Sequence, residues 1–144
     1  MAEYVQPDIS LIGDEHVKVY RETNGEQGYL WNGAPILLLT TTGRKSGQAR
    51  TSALIFGRDG DDLLLVASQG GAPTHPNWYH NLSANPNVTV QVKGDRFPAT
   101  ARTAQGAERD ELWKVMTAVW PNYDEYTKRT TRVIPVVLLE RVKS

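Results

Sequence analysis

Apolar residues fall in short runs along this chain. Pro35-Ile36-Leu37-Leu38-Leu39, Ala53-Leu54-Ile55-Phe56 and Leu63-Leu64-Leu65-Val66 are each bounded by polar or glycine-bearing segments. Runs this short predict strands, at about 35–41, 50–57 and 62–67. Arg58-Asp59-Gly60-Asp61 between the last two is a hairpin turn, since Asp-Gly supplies the positive φ a tight turn needs. Asn87-Val88-Thr89-Val90-Gln91-Val92 alternates apolar and polar, as a half-buried strand does. Gly94-Asp95 turns the chain into a strand at about 96–103. Val133 to Val142 is the last strand, and Pro135 inside it predicts an edge position or a bulge.

The helical period appears in fewer places. From Ala107 to Val119, Leu112, Val115, Met116 and Val119 make one apolar stripe. Pro121 ends that helix, and Asn122 is suited to cap a second short one carrying Tyr123 and Tyr126. His75-Pro76-Asn77 opens a short helix over 77–84 that stops at Asn85-Pro86. Asp14 to Arg21 is suited to a short helix, with acids at its start and cations toward its end. Residues 1–30 are otherwise weakly patterned, an N-terminal segment expected to be partly helical or flexible. Residues 31–144 read as a single domain. Six strands joined mostly by short turns predict an α+β fold that is mainly β: a small closed or half-closed barrel with short helices outside it. A doubly wound parallel sheet would need a helix at nearly every crossover.

Charge narrows the function classes. Sixteen basic and sixteen acidic residues cancel over 144 residues, which disfavours broad nucleic-acid binding. The chain has no cysteine, which excludes disulfides, thiolate catalysis and cysteine metal sites. No apolar run approaches a membrane span and no signal-peptide core is present, so a cytoplasmic protein is expected, with peripheral membrane contact left open. The basic residues are local instead. Thr40-Thr41-Thr42-Gly43-Arg44-Lys45-Ser46-Gly47-Gln48-Ala49-Arg50 links two strands, and no acid occurs from Leu30 to Arg58. A cationic hairpin without its own counter-ions suits an anionic ligand, Arg44, Lys45 and Arg50 giving the charge, with the hydroxyls of Thr42, Ser46, Thr51 and Ser52 around them. A solvated basic turn is the alternative.

From Leu63 to Val92 there is no Asp, Glu, Lys or Arg. This stretch holds Ser68-Gln69-Gly70-Gly71, where paired glycines allow a ligand close to the backbone, and Trp78-Tyr79, which present planar surfaces. Taken alone, Gly70-Gly71 also reads as a tight loop and Trp78 as core. Trp113, Trp120, Tyr123 and Tyr126 are either a packing seam or a lid over a planar substrate. No metal site is expected: His75 and His80 are five apart, wrong for one helix face, with no acid nearby. No Gly-x-Ser-x-Gly elbow exists. Thr42-Gly43-Arg44-Lys45-Ser46 lacks the first glycine and the following helix of a phosphate-binding loop.

Together, Leu39 to Gly47 with Arg50, Ala67-Ser68-Gln69-Gly70-Gly71, His75-Pro76-Asn77-Trp78-Tyr79-His80-Asn81-Leu82 and Ala84-Asn85-Pro86 resemble the deazaflavin (coenzyme F420)-dependent nitroreductase and quinone reductase family. The resemblance covers roughly residues 30–142 and includes Trp120-Pro121-Asn122-Tyr123-Asp124-Glu125-Tyr126. It implies a split β-barrel of the flavin-reductase-like kind. It also implies an oxidoreductase moving a hydride from reduced F420 to a planar acceptor: a quinone, a nitroaromatic or an α,β-unsaturated carbonyl. By that analogy Arg44, Lys45, Ser46, Arg50 and Thr51 hold the cofactor's phosphate and glutamate tail. Ser68, Gln69, Gly70 and Gly71 line its ring, and Trp78 packs beside it. Trp120, Tyr123 and Tyr126 face the acceptor, with Ser68, Tyr123 and Tyr126 as donors to its developing oxyanion. Two residues depart from the family pattern: Trp120 stands where a Tyr can occur, and Gln69 where a Lys can. The rival readings are an FMN-binding split-barrel oxidoreductase and a non-catalytic deazaflavin-binding protein. Exposed strand edges leave a homodimer open.

Overall fold

The computed structural model describes residues 12–142. The first eleven residues of the N-terminal segment therefore lie outside the described ones. The strands are β1 (Leu30–Trp31), β2 (Ala34–Thr42), β3 (Ala49–Ile55), β4 (Gly57–Asp59), β5 (Asp62–Val66), β6 (Asn87–Val92), β7 (Asp95–Thr103) and β8 (Val136–Arg141). The helices are α1 (Gly13–Thr23), α2 (Asn77–Ala84), α3 (Gly106–Val119) and α4 (Asn122–Tyr126), with 3-10 turns at Gln69–Gly71 and Thr127–Arg129.

All strand pairs are antiparallel, in the order β1-β2-β6-β7-β8-β5-β4, and β3 pairs with the other edge of β2. β3 and β4 are one run interrupted only at Phe56. Their pairing, with β2 at one end and β5 at the other, curls the sheet into a split barrel. The excess over the six expected strands has this simple origin. β1 is a two-residue edge, and the expected strand at 50–57 divides where it changes partner.

Side-chain alternation explains the unbroken apolar runs. In β2, Leu37 and Leu39 enter the barrel core with Leu65, Val90, Val137 and Leu139. Ile36 and Leu38 face outward and are covered by Val17 and Tyr20 of α1. In β5 and β8, Leu64, Val66, Val136 and Leu138 are covered by Leu112 and Met116 of α3 and by Tyr123 and Tyr126 of α4. A strand buried on both faces loses its polar alternation.

α1 is held by one residue above all. Tyr20 is fully buried, its hydroxyl donates to the Ile36 carbonyl at 2.9 Å and accepts from the Lys93 N–H at 2.6 Å. Burial pushes its phenol up, so it stays a neutral donor. Helix α1 is thereby fixed beside the β2–β3 hairpin.

Three local expectations are corrected. Pro135 precedes β8, which is an interior strand between β5 and β7. The missing N–H costs nothing there, and the Pro135 carbonyl accepts from Ala67 N–H at 2.9 Å. Val115 is exposed, because α3 buries the narrower stripe of Leu112 and Met116. Asn122 is the first residue of α4 and is buried, while Pro121 holds the cap position. Proline supplies the start of a helix through its fixed φ. Among the described residues no helix is long and apolar enough to cross a membrane.

Candidate active site

The β2–β3 turn closes on itself: Gly43 N–H reaches the Gln48 carbonyl and Gly47 N–H reaches the Gly43 carbonyl, both at 2.8 Å. Gly47 has φ +72°, which a glycine adopts freely. The turn is then tied to α2. Asn81, buried on α2, accepts through Oδ1 from the Arg44 backbone N–H at 3.2 Å and from Arg44 Nη1 at 2.9 Å, and donates through Nδ2 to Thr41 Oγ1. This single amide sets both the backbone and the guanidinium of Arg44.

Between this hairpin, α1 and α2 runs an open groove of about 940 Å³. Among the described residues it is lined by Arg44, Lys45 and Arg50, and also by Lys18 and Arg21 of α1, against only Asp14 and Glu22. None of these five cations forms an ion pair among the described residues. Arg21 Nη2 donates to Thr51 Oγ1 at 3.0 Å, and Thr51 also bonds Thr40 at 2.9 Å. The Ser46 hydroxyl accepts from Gln48 N–H. Both hydroxyls expected to help a ligand therefore begin with partners inside the protein.

Trp78 is 9% exposed, packs in the barrel core and forms a wall of the groove. It is also a wall of a second cavity of about 300 Å³. Trp78 is thus at once a core residue and a wall of both spaces. The second cavity is aromatic: Trp31 and Trp120 rings lie 5.4 Å apart, and Tyr123 and Tyr126 rings 6.1 Å apart in an edge contact. Trp120 Nε1–H donates to the Tyr126 hydroxyl at 3.3 Å, so the indole N–H is spent on its neighbour. Ser68 and Gln69 line the same cavity, which among the described residues has no Asp, Glu, Lys or Arg in its lining. Burial pushes the Tyr123 phenol well up, with Tyr126 adding to the effect.

The Ser68–His75 loop is held from behind by a residue the sequence does not mark. Arg132 Nε donates to the Ala72 carbonyl at 2.8 Å, Nη2 to the Ser68 carbonyl at 2.7 Å, and Nη1 to the Ala67 carbonyl at 3.1 Å and to His75 Nδ1 at 2.8 Å. Burial and this guanidinium push His75 down, with His80 contributing, which keeps Nδ1 an acceptor. Gln69 sits at φ +46°, an uncommon conformation for a residue with a side chain and a form of strain that concentrates at functional loops.

Gly71 has φ +84°, and a Cβ there would lie 2.8 Å from the Tyr126 carbonyl and from Arg129 Cβ. Gly71 thus lets the loop sit directly on α4 and the turn after it, beneath the cavity rather than in its lining. Gly70 belongs to the same 3-10 turn. Gly71→Ala is expected to lower stability by about 1–3 kcal/mol from backbone strain alone, read as a lower denaturation midpoint in urea.

A model of the F420H(2)-dependent quinone reductase family matches residues 13–141. The chain belongs to that family. It is 48% identical over 130 residues to an F420H(2)-dependent quinone reductase of Mycobacterium tuberculosis (strain ATCC 25618 / H37Rv), covering 88% of this chain and 87% of the relative. A solved F420-H2-dependent reductase superposes with a TM-score of 0.69 at 45% identity, over 74% of this chain and 94% of the other. A second solved structure, described as a domain-swapped dimer, gives a TM-score of 0.72 at 38% identity, over 88% and 95% of the two chains. The split barrel expected from the strand pattern and the resemblance is the fold observed.

Most residues expected at the reductase site line one of these two spaces, and Gly71 lies outside both linings. Arg44, Lys45, Ser46, Arg50 and Thr51 lie along the groove, Ser68, Gln69, Trp120, Tyr123 and Tyr126 line the cavity, and Trp78 joins the two. His16, Trp31 and Arg132, and the groove-facing Lys18 and Arg21, were not marked. Asn81 lies inside a quoted motif, yet its anchoring of Arg44 depends on a contact across 37 positions. Among the described residues no cluster of His, Asp or Glu suited to a metal occurs.

Proposed function

We propose that this protein transfers a hydride from reduced coenzyme F420 to a quinone bound in the aromatic cavity. The observation carrying this reading is the meeting, at Trp78, of a cation-lined groove and an uncharged aromatic cavity. The donor set fits the cofactor. Its phosphate and glutamate tail are anions, met by Arg44, Lys45 and Arg50 with Lys18 and Arg21 opposite. Its ring is neutral and planar, and the Ser68–Gly71 loop and Trp78 adjoin the cavity without charge. Reduced F420, when bound, supplies the hydride.

The protein's part is positioning, exclusion of water and stabilisation of the charge that grows on the acceptor oxygen. Ser68 and Tyr123 are the donors for that oxygen. Neither side-chain hydroxyl is hydrogen-bonded among the described residues, and no buried side-chain oxygen there is sealed without a partner. Both hydroxyls therefore open onto space at the cavity. Tyr123, its phenol held neutral by burial, donates a hydrogen bond and does not abstract protons. Tyr126 braces Trp120 through the indole N–H.

Two consequences are measurable. Tyr123→Phe is expected to lower kcat with menadione about tenfold, the loss of one hydrogen bond to a charged oxygen, while F420 affinity in a fluorescence titration stays unchanged. The reading as a whole is tested by titrating F420 and then following oxidation of its reduced form with menadione and with a nitroaromatic. Saturable binding with menadione-dependent oxidation supports it, and oxidation by the nitroaromatic extends the acceptor range. Failure to bind F420 sinks it, and FMN binding in its place would favour the flavin rival. Self-association joins this reading because a 38% identical structure is described as a domain-swapped dimer. Light scattering on the purified protein decides it.

A further inference from the structure

We propose that His16 delivers the proton that completes reduction of the acceptor, by direct contact of its Nδ1 with the acceptor oxygen. This rests on the reductase reading above. Hydride addition to a quinone leaves an oxyanion and requires one proton per turnover. Among the described residues the cavity lining contains no carboxylate or lysine, and burial makes the Tyr123 phenol hold its proton tightly. An imidazole can both give and take a proton, and His16 is the imidazole in that lining among the described residues.

Its placement is built. His16 is 3% exposed on the inner face of α1. Its Nε2 lies 2.7 Å from the Gly28 carbonyl, which can only accept, so Nε2 carries a hydrogen in either charge state. Gly28 makes the seat: at φ +91°, a Cβ there would come within 3.1 Å of His16 Cδ2. The Cδ2–Nε2 edge is thus packed against the Gly28 loop, and the Nδ1 edge faces the other way. No described residue bonds Nδ1, and no buried side-chain nitrogen is sealed without a partner. An imidazole fixed by a carbonyl through one nitrogen and open through the other is arranged for one-directional proton transfer.

The step balances as follows. Reduced F420, when bound, would supply the hydride, whose two electrons would enter the quinone carbon–oxygen system. The oxyanion that results forms an O–H bond with the proton on Nδ1 as the Nδ1–H bond breaks. Neutral His16 keeps Nε2–H on the Gly28 carbonyl and regains its Nδ1 proton from water.

The test uses the full chain with His16→Gln and His16→Ala. Expected are a fall in kcat with menadione of about 100-fold in both, F420 affinity as in the parent, and recovery of His16→Ala, but not of His16→Gln, by added imidazole. A readout free of turnover accompanies these: the 15N signal of His16 Nδ1 in the parent protein, without F420, is expected to shift as menadione is added. A His16→Gln variant as fast as the parent overturns the proposal, as does a loss without imidazole rescue and without an Nδ1 shift. If the variants fail to fold, the Nδ1 titration on the parent protein decides. A parent that binds F420 and reduces menadione while His16→Gln is unimpaired removes His16 alone. A parent that does neither removes the reductase reading and this step with it.

Discussion

Exchange of Arg132 for alanine is expected to weaken F420 binding at least tenfold and to lower stability by about 2–4 kcal/mol, although Arg132 lines neither the groove nor the cavity. The guanidinium makes four contacts to one loop: the carbonyls of Ala67, Ser68 and Ala72, and His75 Nδ1. A charge-assisted hydrogen bond contributes about 1.5–3 kcal/mol. Part of the gross gain is offset because Arg132 is itself desolvated, which pushes its pKa down. Removing it leaves carbonyls at the loop base unpaired and frees a segment that already holds Gln69 at positive φ. Among the described residues the Ser68 carbonyl accepts otherwise only from Gly71 N–H within the turn, at 2.9 Å. Arg132→Lys is expected to behave like the alanine variant in F420 affinity, because a point ammonium cannot reach three carbonyls as the guanidinium fork does. Titration of F420 fluorescence, with urea denaturation alongside, reads both effects. Wild-type affinity in Arg132→Ala would mean that the loop holds its shape without the clamp.

The same residue shows where sequence reading stops. The strands were legible because apolar runs and Gly turns are local signals, and the hairpin cations because they sit within seven positions, from Arg44 to Arg50. Arg132 meets its loop across about sixty positions, and in sequence it is one more base in Lys128-Arg129-Thr130-Thr131-Arg132. His16 is similar. Its role depends on Gly28 and on α1 reaching the cavity, and neither is encoded in the polar stretch around it. Pro135 was misplaced for a related reason. A proline argues against an interior strand only if it lies within the ladder, and here it stands one residue before it. Trp120 stands where the resemblance leaves room for a Tyr. What the sequence could not show is that its indole N–H is turned to Tyr126.

The combined change Arg44→Ala and Lys45→Ala is expected to weaken F420 binding by 100-fold or more with little change in stability. Each cation facing a phosphate or carboxylate contributes about 1.5–3 kcal/mol in a charge-assisted contact. Two such losses amount to about 3–6 kcal/mol, which is about 10²–10⁴ in Kd. The fold should tolerate the change for a specific reason. Asn81 Oδ1 is buried, but it accepts from the Arg44 backbone N–H as well as from the guanidinium, and alanine keeps the backbone donor. The turn's own closure through Gly43, Gly47 and Gln48 also uses no side chain of either residue. Lys45 and Arg44 are otherwise exposed, so their removal leaves no unpaired charge in the core. Salt separates this electrostatic account from a packing one. Raising ionic strength shortens the Debye length to about 3 Å at 1 M, so parent affinity should fall toward that of the double variant, whose own salt dependence should be shallow. A double variant that binds F420 as tightly as the parent at low salt would remove the hairpin from the cofactor site. The cation-lined groove would then have to be explained through Lys18, Arg21 and Arg50 alone.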